Sequence, residues 1–287
     1  MPRSRFPKIP VFSYISKLYR ITGFSGLALF ILLTVIFTAS LLFPYDPAQV
    51  TYVQPLQKPG ISHLLGTDHL GRDVLALILS GTKMSLLVSL SAVSFGAIIG
   101  ICIGCLAAMM RNGWGEIFSR IGDFIFAFPV LVVAILLRQS LGAGPLPIIL
   151  AIGIFNIAIF IRTTFGSAFP LWQREYVLAA RAVGKSRLLI SFQHILPNIS
   201  GILTVQISLQ LAMAILAEAG LSWLGVGIQP PSPSLGRMLM ESVTYYWQAP
   251  QLVLIPAGLI ITISLLLNIL GDRLRDYMDP RLSDRKG

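Results

Sequence analysis

Six apolar runs, each near the roughly 20 residues a helix needs to span a bilayer, constrain this chain more than any motif in it. They cover Phe24 to Phe43, Met84 to Met110, Phe118 to Leu141, Pro147 to Phe165, Ile199 to Gly225 and Gln251 to Leu270. Only 12% of the 287 residues are charged while 55% are hydrophobic, against about a quarter charged in a soluble domain. A chain this short cannot bury so much apolar surface in one water-soluble core, so its solvent is lipid. The reading is an all-α membrane protein with six transmembrane helices. The first run follows basic residues, as a signal peptide does. It exceeds the roughly 7–15 apolar residues of such a segment, however, and Phe43-Pro44-Tyr45 stands where small residues would mark cleavage. It reads as an uncleaved anchor.

A net charge of +10 would point to nucleic acid in a soluble protein. In a membrane protein it reports orientation, because cytoplasmic loops collect Lys and Arg. With the N-terminus in the cytoplasm, that side receives Arg3, Arg5, Lys8, Lys17 and Arg20, then Arg111, Arg120 and Arg162. It also receives Arg174, Arg181, Lys185 and Arg187, and finally Arg273, Arg275, Arg281, Arg285 and Lys286. Lys58, Arg72, Lys83, Arg138 and Arg237 remain outside. Both termini are therefore expected in the cytoplasm. The chain divides into a cytoplasmic segment 1–23, a membrane domain 24–271 and a cytoplasmic tail 272–287. The membrane domain contains an outer segment 44–83 and a cytoplasmic loop 166–198.

Catalytic signatures are missing. Gly184-Lys185-Ser186 looks like the end of a phosphate-binding loop, but the first glycine such a loop requires falls on Ala179, and no strand precedes it. No HExxH or GxSxG occurs, and there are three histidines. His63, His69, Asp68 and Asp73 share the outer segment without a recognised ligand spacing, so a connector whose aspartates cap turns and helices is expected there, and no metal. Cys102 and Cys105 lie mid-span with no second ligand pair, and read as small apolar residues. The chain is expected to be no enzyme.

In the second span Ala92, Gly96, Gly100, Gly104 and Ala108 place a small residue at every fourth position. Such a stripe lets another helix backbone come close, though the stripe does not say which one. Pro129 is expected to kink the third span.

The loop between the fourth and fifth spans carries EYVLAARAVGKSRLLISFQHILPN, from Glu175 to Asn198. Tyr176, Ala179, Ala180 and Val183 are at helical spacing, with Arg181 on another face. Gly184 breaks or turns the helix. A second helix from Lys185 to Ile195 is expected to stop before Pro197. The result is a helix–turn–helix on the inner membrane surface, with small residues that allow close docking.

Ala179-Ala180, Gly184 and Leu196-Pro197 resemble the EAA signature of ABC-importer membrane subunits. Leu178 replaces the Glu of the signature's name, and His194 an apolar residue. Both departures fit the dipeptide, oligopeptide and nickel permeases, whose pattern EYVxAARAxGxSxxxIxxxHILPN this chain follows closely. LGTDHLGRDV (Leu65–Val74), EAGLSWLGVGIQPPSPSLGRML (Glu218–Leu239) and GDRLRDYMDPRL (Gly271–Leu282) are similar to the second, C-type subunit of that family, in the same order.

The resemblance implies a type I ABC importer permease in a bacterial cytoplasmic (inner) membrane. Its implied partners are a homologous second permease, two ATPases, a substrate-binding protein outside and membrane lipid, with no nucleic acid. ATP and Mg²⁺ would sit on the ATPases, and this chain would bind no cofactor. Glu175, Tyr176, Ala179, Ala180, Arg181, Gly184, His194, Leu196 and Pro197 would form the contact to an ATPase groove. Short peptides are the expected cargo, with nickel or a metal–chelator complex as the alternative.

Glu218 lies in the outer half of the fifth span, where an ionisable group faces protein or a water-filled path. It is a candidate for the translocation path and equally for a structural hydrogen bond. Asn156 and Gln206 are polar at mid-membrane, candidates for the path or for interhelical bonds. A secondary transporter driven by an ion gradient would want acidic groups in repeated contexts, and Asp123 and Glu218 do not supply them. A scaffold that only anchors an ATPase would keep the loop and tolerate loss of Glu218.

Overall fold

The computed structural model describes residues 26–39, 54–110, 120 and 122–278. The segment 1–23, the ends of the first expected span, the start of the outer segment, the loop bearing Arg111 and the tail beyond 278 lie outside the described residues. The described chain is helical, and its β pairing is one isolated bridge between Thr67 and Asp73. The helices are α1 (Gly26–Ala39), α2 (Val74–Met109), α3 (Val130–Leu141), α4 (Pro145–Ala168), α5 (Glu175–Ala182), α6 (Arg187–Ile190), α7 (Leu196–Trp223), α8 (Leu235–Ser242) and α9 (Gln251–Met278), with a further helical stretch at 122–126 ahead of α3. Four stretches among the described residues are long and apolar enough to cross a membrane: Val74–Met109, Pro145–Gln173, Arg187–Trp223 and Gln251–Tyr277. The first and third expected spans appear as the shorter apolar helices α1 and α3.

Three helix boundaries differ from the sequence expectation. α2 begins at Val74, ahead of Met84, because Asp73 caps it, its carboxylate accepting the Ala76 N–H. The polar stretch Gly81-Thr82-Lys83 interrupts the apolar run and not the helix, since the Thr82 hydroxyl folds back onto the Ile78 carbonyl at 2.7 Å. Pro129 ends a helix instead of kinking one. It lies in extended backbone before α3, since a proline disfavours helical geometry in the residue before it and donates no hydrogen bond.

Pro197, conversely, stops nothing. It falls in the first turn of α7, directly after a π-turn over Ser191–Ile195, in which Leu196 donates to the Ser191 carbonyl. The wider π geometry absorbs the missing donor, and the helix runs on from Arg187 to Trp223.

The glycine stripe finds its partner in α4. A Cβ on Gly100 would stand 2.6 Å from Phe160 Cβ and 2.7 Å from the Ile157 carbonyl oxygen. On Gly104 it would stand 2.6 Å from Thr164 Cβ, and on Gly96 it would collide with Asn156. In lipid no hydrophobic force drives helices together, so close backbone contact and dispersion hold this pair. One core gathers Val88 and Ala92 of α2, Ile148 and Phe160 of α4, Ile199 of α7, and Val177, Ile190 and Ile195 of the segment between α4 and α7. A second joins Leu29 of α1 with Ile215, Leu235 and Ile263 of α7, α8 and α9. A third seats the outer segment, with Val74, Leu77, Met238 and Leu252.

Candidate functional site

The segment from Glu175 to Pro197 folds as a helical hairpin whose turn is fixed by backbone chemistry. Glu175 occupies the first turn of α5 and Arg181 the last, each of the sign the helix dipole favours at its end. α5 closes in a Schellman motif, with Lys185 N–H donating to the Ala180 carbonyl at 3.2 Å and Gly184 N–H to Arg181 at 2.9 Å. That closure needs a left-handed residue, and Gly184 has φ +84°. The Ser186 hydroxyl then caps α6 by accepting from Leu189 N–H. The two arms meet at His194: Lys185 Nζ lies 3.5 Å from its Nε2, and the Tyr176 ring stands 6.2 Å away, edge to face.

One side of the hairpin is anchored and the other is bare. Val177, Ile190 and Ile195 are fully buried, and half-buried Leu196 and Ala180 pack on the same core. Tyr176, Leu178, Val183, Leu188 and Phe192 are exposed, Val183 at 83%. Ala179 and Pro197 are exposed too, while Arg181 is half-buried. The exposed side chains make an apolar ridge on an anchored base. Beside it, a cleft of about 410 Å³ opens between the end of α2 and the hairpin, with Arg181, Arg187 and Trp172 in its wall. Arg187, which the sequence reading did not single out, donates to the Met109 carbonyl at 3.2 Å and ties the hairpin to α2.

The polar groups expected at membrane depth do not converge. Glu218 is completely buried: Ser222 Oγ donates to its Oε1 at 2.7 Å, and Oε2 has no hydrogen-bond partner. Ser222 Oγ also accepts from Ile228 N–H at 3.1 Å, so the carboxyl holds the turn that follows α7. Arg138 of α3 fixes the same turn by donating to the Gly225 carbonyl. Asn156 is buried against Gly96, its Nδ2 donating to the Ile152 carbonyl at 2.9 Å. Gln206 is half-buried on α7.

The segment ahead of α2 is held by charge. Asp68 accepts from Leu70 and Arg72 N–H, and its other oxygen takes Arg72 Nε at 2.6 Å. Arg72 reaches across to Glu241 of α8 at 2.8 Å, and Arg237 pairs with the same carboxylate. Burial alone would raise the Glu241 pKa, but the bonds from Arg237 and Arg72 outweigh it and hold it below its ordinary value. Burial would likewise lower Arg72, yet Asp68 and Glu241 leave it raised. His63 pairs with Asp73 at 2.8 Å, and His69 stacks on Tyr245. Among the described residues no three His, Cys, Asp or Glu side chains gather in a metal-binding group.

Residues 100–284 match the family described as "Binding-protein-dependent transport system inner membrane component". The chain is 38% identical over 260 residues to the "Glutathione transport system permease protein GsiD" of Pectobacterium atrosepticum, covering 90% of this chain and 86% of the relative. It is 38% identical over 248 residues to the "Di/tripeptide transport system permease protein DppC" of Pseudomonas aeruginosa, covering 84% and 82%. Among solved structures, the fold is similar to the inward-facing MetNI methionine ABC transporter, with TM-score 0.59, 18% identity, and 71% and 96% of the two chains covered. An amino acid ABC transporter solved with histidines gives TM-score 0.54 at 17% identity, covering 70% and 94%.

This chain belongs to the family of inner-membrane components of binding-protein-dependent transport systems. It is a transport permease subunit with a type I ABC permease fold.

Proposed function

We propose that this chain is the C-type permease subunit of an ATP-driven importer for short peptides. The observation that carries the reading is the hairpin around Gly184: anchored through Val177, Ile190 and Ile195, and presenting a bare apolar ridge. The names of its relatives support the cargo, since one is a di/tripeptide and another a glutathione transport permease, glutathione being itself a γ-linked tripeptide.

Six spans with both termini in the cytoplasm complete the proposal, supported by the Lys and Arg bias. A homologous permease would form the other half of the path, two ATPases would bind ATP and Mg²⁺, and a binding protein would deliver the peptide. Closure of the ATPase pair would carry the hairpin with it and rock the spans between outward and inward access. Gln206, Asn156 and Glu218 would border the path.

The test is uptake in cells lacking this subunit, with labelled tripeptide and labelled nickel run in parallel. Loss of tripeptide uptake alone supports the proposal, and loss of nickel uptake alone replaces the cargo. Uptake that survives vanadate and collapses with an ionophore would replace the ATP-driven mechanism with an ion-coupled one.

A further inference from the structure

A cavity of about 580 Å³ opens sideways among α1, α2, α7 and α9, and the transport reading makes no use of it. Its walls are Leu33 and Phe37 of α1, Leu86 and Leu90 of α2, Ile215 of α7 and Leu267 of α9. Glu218, Asn156 and Gln206 do not line it.

Four polar side chains interrupt this apolar wall. The Thr34 and Thr38 hydroxyls donate to carbonyls of their own helix, those of Phe30 and Thr34, each at 2.8 Å, which leaves Lys83 and Ser89. Lys83 stands at the rim, exposed, with Nζ 5.3 Å from the centroid of the Phe37 ring. None of the ion pairs among the described residues includes it. Ser89 lines the cavity with a side chain 1% exposed, and its hydroxyl has no hydrogen-bond partner.

The depth of these groups is set by α2. Lys83 and Met109 stand 26 residues apart on this helix, about 39 Å along its axis. That is close to the roughly 40–45 Å of a bilayer measured with its headgroups. With the far end of α2 in one headgroup layer, Lys83 therefore lies in the other. Leu90 lies about 10 Å deeper along the axis, inside the hydrocarbon. A cation at headgroup level above an apolar slot is complementary to a phosphate with an acyl chain beneath it.

We propose that this groove holds one glycerophospholipid, its phosphate on the Lys83 ammonium and an acyl chain between α1 and the α2–α7–α9 wall. In the orientation proposed above, the lipid belongs to the outer leaflet. It fills the seam along which α1 joins the rest of the subunit.

The assembled importer tests this directly, purified in mild detergent, washed free of loose lipid and titrated with phosphatidylglycerol under native mass spectrometry. The wild type is expected to retain one phospholipid on this subunit. Lys83→Ala is expected to weaken retention by about tenfold, the scale of one charge-assisted hydrogen bond, and Lys83→Arg to restore it. Leu90→Trp fills the slot from an exposed position and is expected to exclude the lipid while the same spectrum shows the importer intact. Equal retention in wild type, Lys83→Ala and Leu90→Trp would mean loose annular lipid only, and would overturn the proposal. Disulfide capture of Leu90→Cys by a cysteine on the second permease would overturn it too, by showing a protein helix in the groove.

Discussion

At the scale of single residues, the glycines of α2 are set by distance. Gly100 faces Phe160 and Ile157 so closely that any side chain displaces α4. Gly100→Leu is expected to cost about 1–3 kcal/mol by overpacking, read as a lower melting temperature of the purified subunit. Gly166 is the control: a Cβ there meets nothing within 4 Å, so Gly166→Ala should melt no lower than wild type, helix propensity favouring Ala by about 1 kcal/mol. The stripe itself is plain in the sequence, because spacing by four is a local property. Its partner is not, because nothing in Gly96, Gly100 or Gly104 names Phe160 and Thr164. Glu218 poses the same limit: its burial is foreseeable from the apolar context, and its bond to Ser222 is one turn away, but the orphan oxygen is a fact of packing. Glu218→Gln keeps an acceptor for Ser222. The importer should assemble normally and take up labelled tripeptide more slowly, and failure to assemble would make the carboxyl purely structural.

At the scale of elements, the hairpin around Gly184 is the most legible part of the chain. A helix of Tyr, Val and Ala, a glycine and a serine cap are all local signals, and each is satisfied by neighbours within a few residues. Pro197 misleads because the compensation lies in the preceding turn, where a π-turn leaves the proline's missing N–H without consequence. The early start of α2 misleads for a similar reason: hydropathy dips at Gly81-Thr82-Lys83, while the capping bond that starts the helix sits at Asp73.

Two outcomes belong to this scale. Gly184→Val forces a β-branched residue to φ +84°, a strain of about 1–2 kcal/mol, in open space where nothing clashes. The subunit should insert normally and the partner ATPases should hydrolyse ATP without uptake, with Gly184→Asn recovering much of the loss. Val177→Ala removes a fully buried anchor at a cost of about 2 kcal/mol. Limited trypsin digestion should then cut sooner after Arg181 and Lys185.

For the whole molecule, contacts distant in sequence decide what joins the segment ahead of α2 to α8. Arg72 and Glu241 lie 169 positions apart and meet at 2.8 Å, a pairing no window of sequence reveals. Arg237 and Glu241, four apart on α8, are the half of that cluster a helical reading can find. Because the folded Glu241 pKa is lowered, its stabilisation is complete above the ordinary carboxylate value of about 4.3. It is lost as pH falls through the lowered folded value. Glu241→Gln should lower the melting temperature by about 3 °C at neutral pH, the shift for roughly 1 kcal/mol in a protein this size. The gap between variant and wild type should close on acidification. A gap that stays constant with pH would show that packing, and not charge, joins the outer segment to α8.

The continuity of helix through the π-turn has a mechanical consequence. Arg187 to Trp223 forms one helical rod of 37 residues, about 55 Å long, with the hairpin at one end and the Glu218-held turn at the other. Such a rod works as a lever arm, with the π-turn and Pro197 close to its hairpin end. A tilt of about 5° of the stretch from Leu196 onward sweeps its far tip through several ångströms, so a small displacement at the hairpin end becomes a larger one at the Glu218-held turn.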